Sequence, residues 1–407
     1  MFQERITMSR YRIVIVSLLV LCSTFILFHF AAPYVYTSLK AERCADASPR
    51  DKENCRLGLI QSSFDSWGTS GGMRAIAALH ADSSFATTGC FRYAGLVGKL
   101  SYEDMVRKGS DIKSWDFPPE TVWCSTGFFH EFVAGFIEDH PDTRTIIDTC
   151  TLLKARLIGV TGDFDVTCRL AAGHGLERAA ARAYSPEETA PSEMTATALK
   201  ECALLGEDTR LIEACKKGVM ETFSNFALAG SYGLTLDLFN PLALCDVISK
   251  SDASACYWAA AQLMGKAVGN DPIHLSAVVA RVTDTSLQKQ IFEMGIAMMM
   301  NGIQTENPGN TVFKECRTMS EEFLGTCVEG IVHGLFVNGA PGIEYRPALL
   351  FCSSDEVGDT QLRAACYSSV IEWMRKLYPP SKARTICEEA FPTPEQTSCS
   401  SLVLHTL

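Results

Sequence analysis

Six residues after each of a series of spaced cysteines, the chain repeatedly carries a side chain that can hold a proton, a metal or a polar ligand. The series, which includes one position where Phe292 takes the cysteine's place, reads Gln61, His130, His174, Glu221, Gln262, Met298, His333, Glu372 and His405. All but Met298 are His, Glu or Gln, and four of the chain's eight histidines fall here. Interchange of these three types fits hydrogen bonding between neighbouring units. The same column fits ligand chemistry. His and Glu bind first-row metals, and two His with one carboxylate make an open site. His130, His174 and Glu221 are consecutive members and are the candidate ligands of a divalent transition metal. Glu131 and Glu177 stand close to them in sequence and are the candidate acid/base groups. Gln61, Gln262, His333, Glu372 and His405 are the candidate lining of a polar binding groove. Gly173 and Gly175 flank His174, and Gly334 follows His333, which lets a ligand or another backbone come close. Neighbouring histidines would also charge together between about pH 5 and 7.

No established motif competes with this column. His-Glu-x-x-His does not occur. The glycine-rich run Gly68–Gly72 lacks the Lys-Ser/Thr of a phosphate loop, and it does not match the spacing of a Gly-x-Ser-x-Gly elbow. Trp115, Phe117 and Trp123 sit in a long insertion before Cys124, a place for a lid or an edge contact.

The elements that position the column are legible from the cysteines. They fall into local pairs: Cys44–Cys55, Cys90–Cys124, Cys150–Cys168, Cys202–Cys215, Cys245–Cys256, Cys316–Cys327, Cys352–Cys366 and Cys387–Cys399. Seven residues before the second cysteine of most pairs stand Ser48, Thr161, Asp208, Ser249, Ser320 and Asp359, all helix N-cap types. The second cysteine then lies two turns into a helix and the first near the end of the preceding one, so each disulfide staples a helical hairpin across its turn. Three residues after the second cysteine the side chain is small: Gly58, Gly127, Ala171, Gly218, Ala259, Gly330 and Ser369, with Leu402 the exception. Glycine costs a helix about 1 kcal/mol relative to alanine, so its recurrence predicts close approach of a neighbouring helix. A unit without cysteines aligns when Phe292 takes the cysteine position, Thr285 the cap and Gly295 the small residue.

After one longer first step, the units recur every 33–47 residues, a period of solenoids and arrays. Period-two alternation is scarce and the segments after each cysteine read as helix. The pattern resembles Sel1/tetratricopeptide-type helical repeats, above all disulfide-stapled versions in exported proteins. That resemblance implies an all-α fold, an α-solenoid of about nine hairpins, and implies no particular activity.

The N-terminus supplies the address. Arg5, Arg10 and Arg12 precede an uncharged apolar run over residues 13–36, long enough to cross a hydrocarbon core of roughly 30 Å. Residues 1–12 are then cytoplasmic, 13–36 a single-pass signal-anchor, and 37–407 an exported repeat domain in the periplasm, a lumen or outside the cell; the shorter alternative is a cleaved signal peptide. Sixteen of the seventeen cysteines follow the apolar run, and no Cys-x-x-Cys occurs. Both facts fit structural disulfides in an oxidising compartment. A net charge of −11 with no basic cluster argues against nucleic acid as a partner. The expected partners are the membrane and a protein, peptide or glycan ligand on the concave polar face, with a metal-dependent enzyme as the alternative.

Overall fold

Asp208 and Asp359 begin helices as their spacing predicts: Asp208 accepts a hydrogen bond from the Arg210 N–H and Asp359 from that of Leu362. Ser48 caps in the same way through the Asp51 N–H. Ser320 holds the N-cap position without a side-chain bond. Ser249 differs: its hydroxyl accepts from Ser251 N–H in a turn, and the helix starts only at Ala253. In the unit without cysteines the cap is Asp284, one residue before Thr285, and it accepts from Leu287 N–H. A carboxylate there outcompetes the hydroxyl beside it because it is the stronger acceptor.

The computed structural model describes residues 37–44, 47–80, 89–157, 164–185, 190–300, 303 and 307–404. The apolar segment 13–36 and Thr161 lie outside them. Among the described residues there is no strand, and no helix is long and apolar enough to cross a membrane. The chain divides into two units, Met1–Asp82 and Ser83–Leu407. The first contains the Cys44–Cys55 hairpin and α1 (Pro49–Leu79), which is interrupted where Gly68 takes φ 66°.

The second unit is a two-layer array. Its inner helices are α2 (Cys90–Arg107), α3 (Gly127–Asp139), α5 (Phe164–Arg182), α7 (Thr209–Ala229), α8 (Ala253–Ala267), α10 (Thr285–Met299), α12 (Glu321–Asn338), α14 (Thr360–Leu377) and α16 (Thr393–Leu404), each packed against the next. The outer elements are α4 (Thr143–Arg156), α6 (Pro191–Ala203), a 3-10 turn (Pro241–Val247), α9 (Pro272–Val279), α11 (Pro308–Cys316), α13 (Tyr345–Cys352) and α15 (Pro380–Ala390). Each outer element packs on the inner helix that follows it. All eight local disulfides form, with Cα–Cα distances from 5.1 to 6.4 Å. Seven staple a hairpin across its turn, although in one the first arm is the 3-10 turn. Cys90–Cys124 departs from that pattern: Cys90 opens α2 and Cys124 sits just before α3, so this bridge ties the starts of two inner helices across the insertion. Phe292 is fully buried and packs its ring against Phe323 on α12 at 4.8 Å, filling the cysteine's place with apolar contact.

The small-residue column marks where inner helices meet backbone to backbone. A Cβ at Gly218 would stand 1.9 Å from the Leu170 carbonyl oxygen, at Gly127 2.4 Å from that of Phe91, and at Gly330 2.6 Å from that of Glu293. Two positions differ: a Cβ at Gly295 would meet the Leu275 side chain of the outer helix α9 at 2.8 Å, and Gly58 has nothing within 4 Å. The inner layer also returns on itself. α12 touches α2 and the turn Cys124–Thr126, more than two hundred residues earlier in the chain.

Candidate functional site

Three adjacent inner helices set the site. On α5, a Cβ at Gly173 would meet the Cys215 carbonyl oxygen of α7 at 2.0 Å, and one at Gly175 the Ala134 carbonyl oxygen of α3 at 2.5 Å. The glycines beside His174 therefore serve close backbone approach of α5 to α7 on one side and to α3 on the other. One side chain from each then converges. His130, His174 and Glu221 offer ligand atoms all within 4.8 Å of one another. The two imidazole rings lie 4.3 Å apart. His174 Nε2 stands 3.3 Å from Glu221 Oε2 without hydrogen-bond geometry, while its Nδ1 is 2.7 Å from the Thr222 hydroxyl. His130 and His174 are buried, and the Glu221 side chain keeps 16% of its exposure.

Burial, helped by the neighbouring His174 ring, pushes the His130 pKa down to about 4. Burial opposes ionisation of Glu221, but His174, His130 and a hydrogen bond from Gln262 outweigh it and hold the carboxyl at about 2. Glu131 is likewise penalised by burial and rescued by Arg178, whose guanidinium donates to it at 2.8 Å. Glu177 belongs elsewhere. It is fully buried, accepts a 2.8 Å hydrogen bond from Thr195 on α6, and burial raises its pKa to about 8.

Two cavities meet at this cluster. The smaller, about 300 Å³, is lined by His130, His174 and Glu221 together with Glu131, Arg178 and Thr222. The larger, about 660 Å³, takes residues from α2 through α14. Phe91, Arg92, His130 and Glu221 line both. The column of the sequence maps onto this pair: Gln262, Met298 and His333 continue the larger wall from Glu221 and His130, and His174 faces the smaller space. Adjacent hairpins could have buried the column between them. Instead five members line the larger cavity and His174 lines the smaller one beside it.

Glu372 lines neither cavity. It is exposed and pairs with Lys376 at 2.7 Å; its neighbour Trp373 and Lys376 itself face the larger cavity instead. Gln61 lies in the first unit and donates to Asp65 at 2.9 Å. His405 lies outside the described residues. In the insertion, Phe117 packs onto Phe128, Phe129 and Phe132 rather than forming a lid, and Arg156 ties down the Trp115 carbonyl.

The structure adds residues that the column did not single out. On the larger wall, His333 faces Glu293 at 3.2 Å and lies 4.1 Å from the Trp373 ring. Trp258 and Trp373 both line this cavity, each beneath a lysine ammonium, from Lys217 and Lys376. At its rim, Cys124, Ser125 and Thr126 run consecutively through left-handed backbone, φ 56°, 54° and 64°, a strained arrangement for non-glycine residues. The Cys90–Cys124 disulfide anchors that stretch. Trp258 stands two residues after its cysteine and Trp373 seven after, so no single offset joins them. No family model, curated protein or solved structure matches the chain.

Proposed function

We propose that this protein is an exported, single-pass membrane-anchored α-solenoid of the tetratricopeptide-like kind, and that it binds a peptide or glycan segment of a partner in the larger inner cavity. The observation that carries the reading is the shared wall. Side chains from α2, α3, α5, α7, α8, α10, α12 and α14 line one space of about 660 Å³, within the usual 300–1,000 Å³ of ligand sites. Its lining mixes apolar and aromatic surface with a few polar groups, Gln262, His333 and Asn338 among them, the composition expected where polar groups orient a ligand and apolar ones hold it. The eight disulfides support an oxidising compartment outside the cytoplasm. The arginines before an uncharged run at 13–36 support an anchor with residues 1–12 inside.

The test uses the full-length protein in detergent, screened against peptide and glycan libraries. Two tryptophans line the cavity, so a bound ligand is expected to change the intrinsic fluorescence. Met298 lies half-buried in the cavity wall. Met298→Trp is expected to fill the space and weaken capture at least tenfold with unchanged helicity. Equal capture by this variant would place the ligand elsewhere and overturn the reading.

A further inference from the structure

We propose that His130, His174 and Glu221 hold one divalent transition-metal ion, of the zinc class, and that its remaining coordination position takes a carboxylate of the ligand. The metal half of this inference stands on the cluster alone; the carboxylate half rests on the binding reading above.

When Thr222 accepts the Nδ1 proton of His174, the buried Nε2 is left as a lone pair 3.3 Å from the Glu221 carboxylate, with no hydrogen bond between them. Two electron-pair donors this close are stabilised by a positive centre between them. A proton bridges two donors. A metal ion bridges three, and His130 supplies the third within 4.8 Å.

Ligands about 2.0–2.1 Å from one tetrahedral zinc lie roughly 3.3 Å from each other, and the His174–Glu221 separation is already 3.3 Å. His130 needs only a side-chain adjustment to join them. Thr222 fixes the His174 ring and Gln262 bonds Glu221, the kind of partners that orient metal ligands. All three ligands stand on helices locked together by glycine contacts, so the set is rigid.

Three protein ligands leave zinc an open position, as in sites that take a substrate. A divalent ion with two neutral imidazoles and one carboxylate carries a net positive charge. Arg178 beside it is already balanced by Glu131. The open position therefore favours an anionic oxygen ligand. Glu221 and His130 line both cavities, so a carboxylate bound here leaves its organic body the aromatic wall of Trp258 and Trp373.

The experiment is cobalt(II) titration of the full-length protein in detergent, followed by visible absorption and equilibrium dialysis, with benzoate as the carboxylate probe. One ion per chain is expected. His174→Ala and His130→Ala should lose binding by at least a hundredfold, Thr222→Val by about 10–100-fold, and the exposed His140→Ala by nothing. Helicity and non-reducing peptide maps show whether each variant folds, and Thr222→Val keeps the test informative if the ligand variants do not. Benzoate should shift the cobalt spectrum of the wild type. No binding by the wild type, or equal binding in the folded His174→Ala and Thr222→Val variants, would overturn the metal site. Cobalt binding with no benzoate shift would overturn the carboxylate half only. Loss of peptide or glycan capture in Met298→Trp with cobalt binding intact leaves the metal site standing, so the two proposals fail separately.

Discussion

Glu177 and His174 stand three residues apart on α5, and the fold gives them opposite surroundings. His174 faces the cavity cluster; Glu177 is sealed against Thr195 with one carboxylate oxygen unpartnered. A carboxylate in that place is costly, so the proton is retained to about pH 8. The sign follows from linkage. A carboxyl whose pKa is higher in the folded than in the unfolded chain favours folding below the unfolded value, near 4.5, and loses that contribution as pH rises to about 8. Glu177→Gln is therefore expected to gain stability over wild type by on the order of 3 kcal/mol between pH 5 and 8. Denaturation of both proteins at the two pH values measures it, and parallel pH slopes would refute it. At this scale the sequence was partly readable. The grouping of His130, His174 and Glu221 follows from register alone, since each is six residues from its cysteine on neighbouring inner helices. Glu177 was read as a neighbour of the site because three residues offset a helical side chain by only about 60°, but the outer helix α6 packs against it and Thr195 takes its carboxyl instead. Arg178 and Thr222 were invisible because their roles depend on which helix packs against which.

Among the elements, the glycine column was legible as a packing signal, and its strength varies from one position to the next. Gly218 touches the backbone of α5, and an added methyl there has no route around the Leu170 carbonyl. Gly218→Ala is expected to cost about 1–3 kcal/mol and to disturb the α5–α7 contact that carries His174 and Glu221. Gly58, in the other unit, has open space around it, so Gly58→Ala should instead gain about 0.5–1 kcal/mol through helix propensity. Calorimetry of each variant decides the matter, and a loss at Gly58 with none at Gly218 would contradict the packing account. Element boundaries were less readable than this contact pattern. Ser249 and Thr285 are cap types that the helices bypass, one for a turn and one for an adjacent aspartate. Cys90 begins an inner helix where the hairpin rule expects the end of an outer one. Glu372 obeys the offset, yet α14 presents Trp373 to the cavity, a rotation of about one residue or 100°.

For the second unit as a whole, the return of α12 onto α2 turns a row of like positions into one wall. Without it, His130 and His333 would lie far apart along an extended array, and their shared offset would mean only repetition. The cysteine register reports each hairpin and its neighbour, but the contact of α12 with α2 depends on the packing of all the helices between them, and no single residue encodes it. Photo-crosslinking tests this closure most directly. Val337 on α12 lines the cavity together with Gly89, Phe91, Val122 and Thr126. A photoreactive benzoyl-phenylalanine at position 337 of the full-length protein, mapped by mass spectrometry, is expected to join peptides containing residues 89–92 or 122–126. Crosslinks confined to α10 and α14, the flanking helices, would show an open array and contradict the shared cavity on which the proposed function stands.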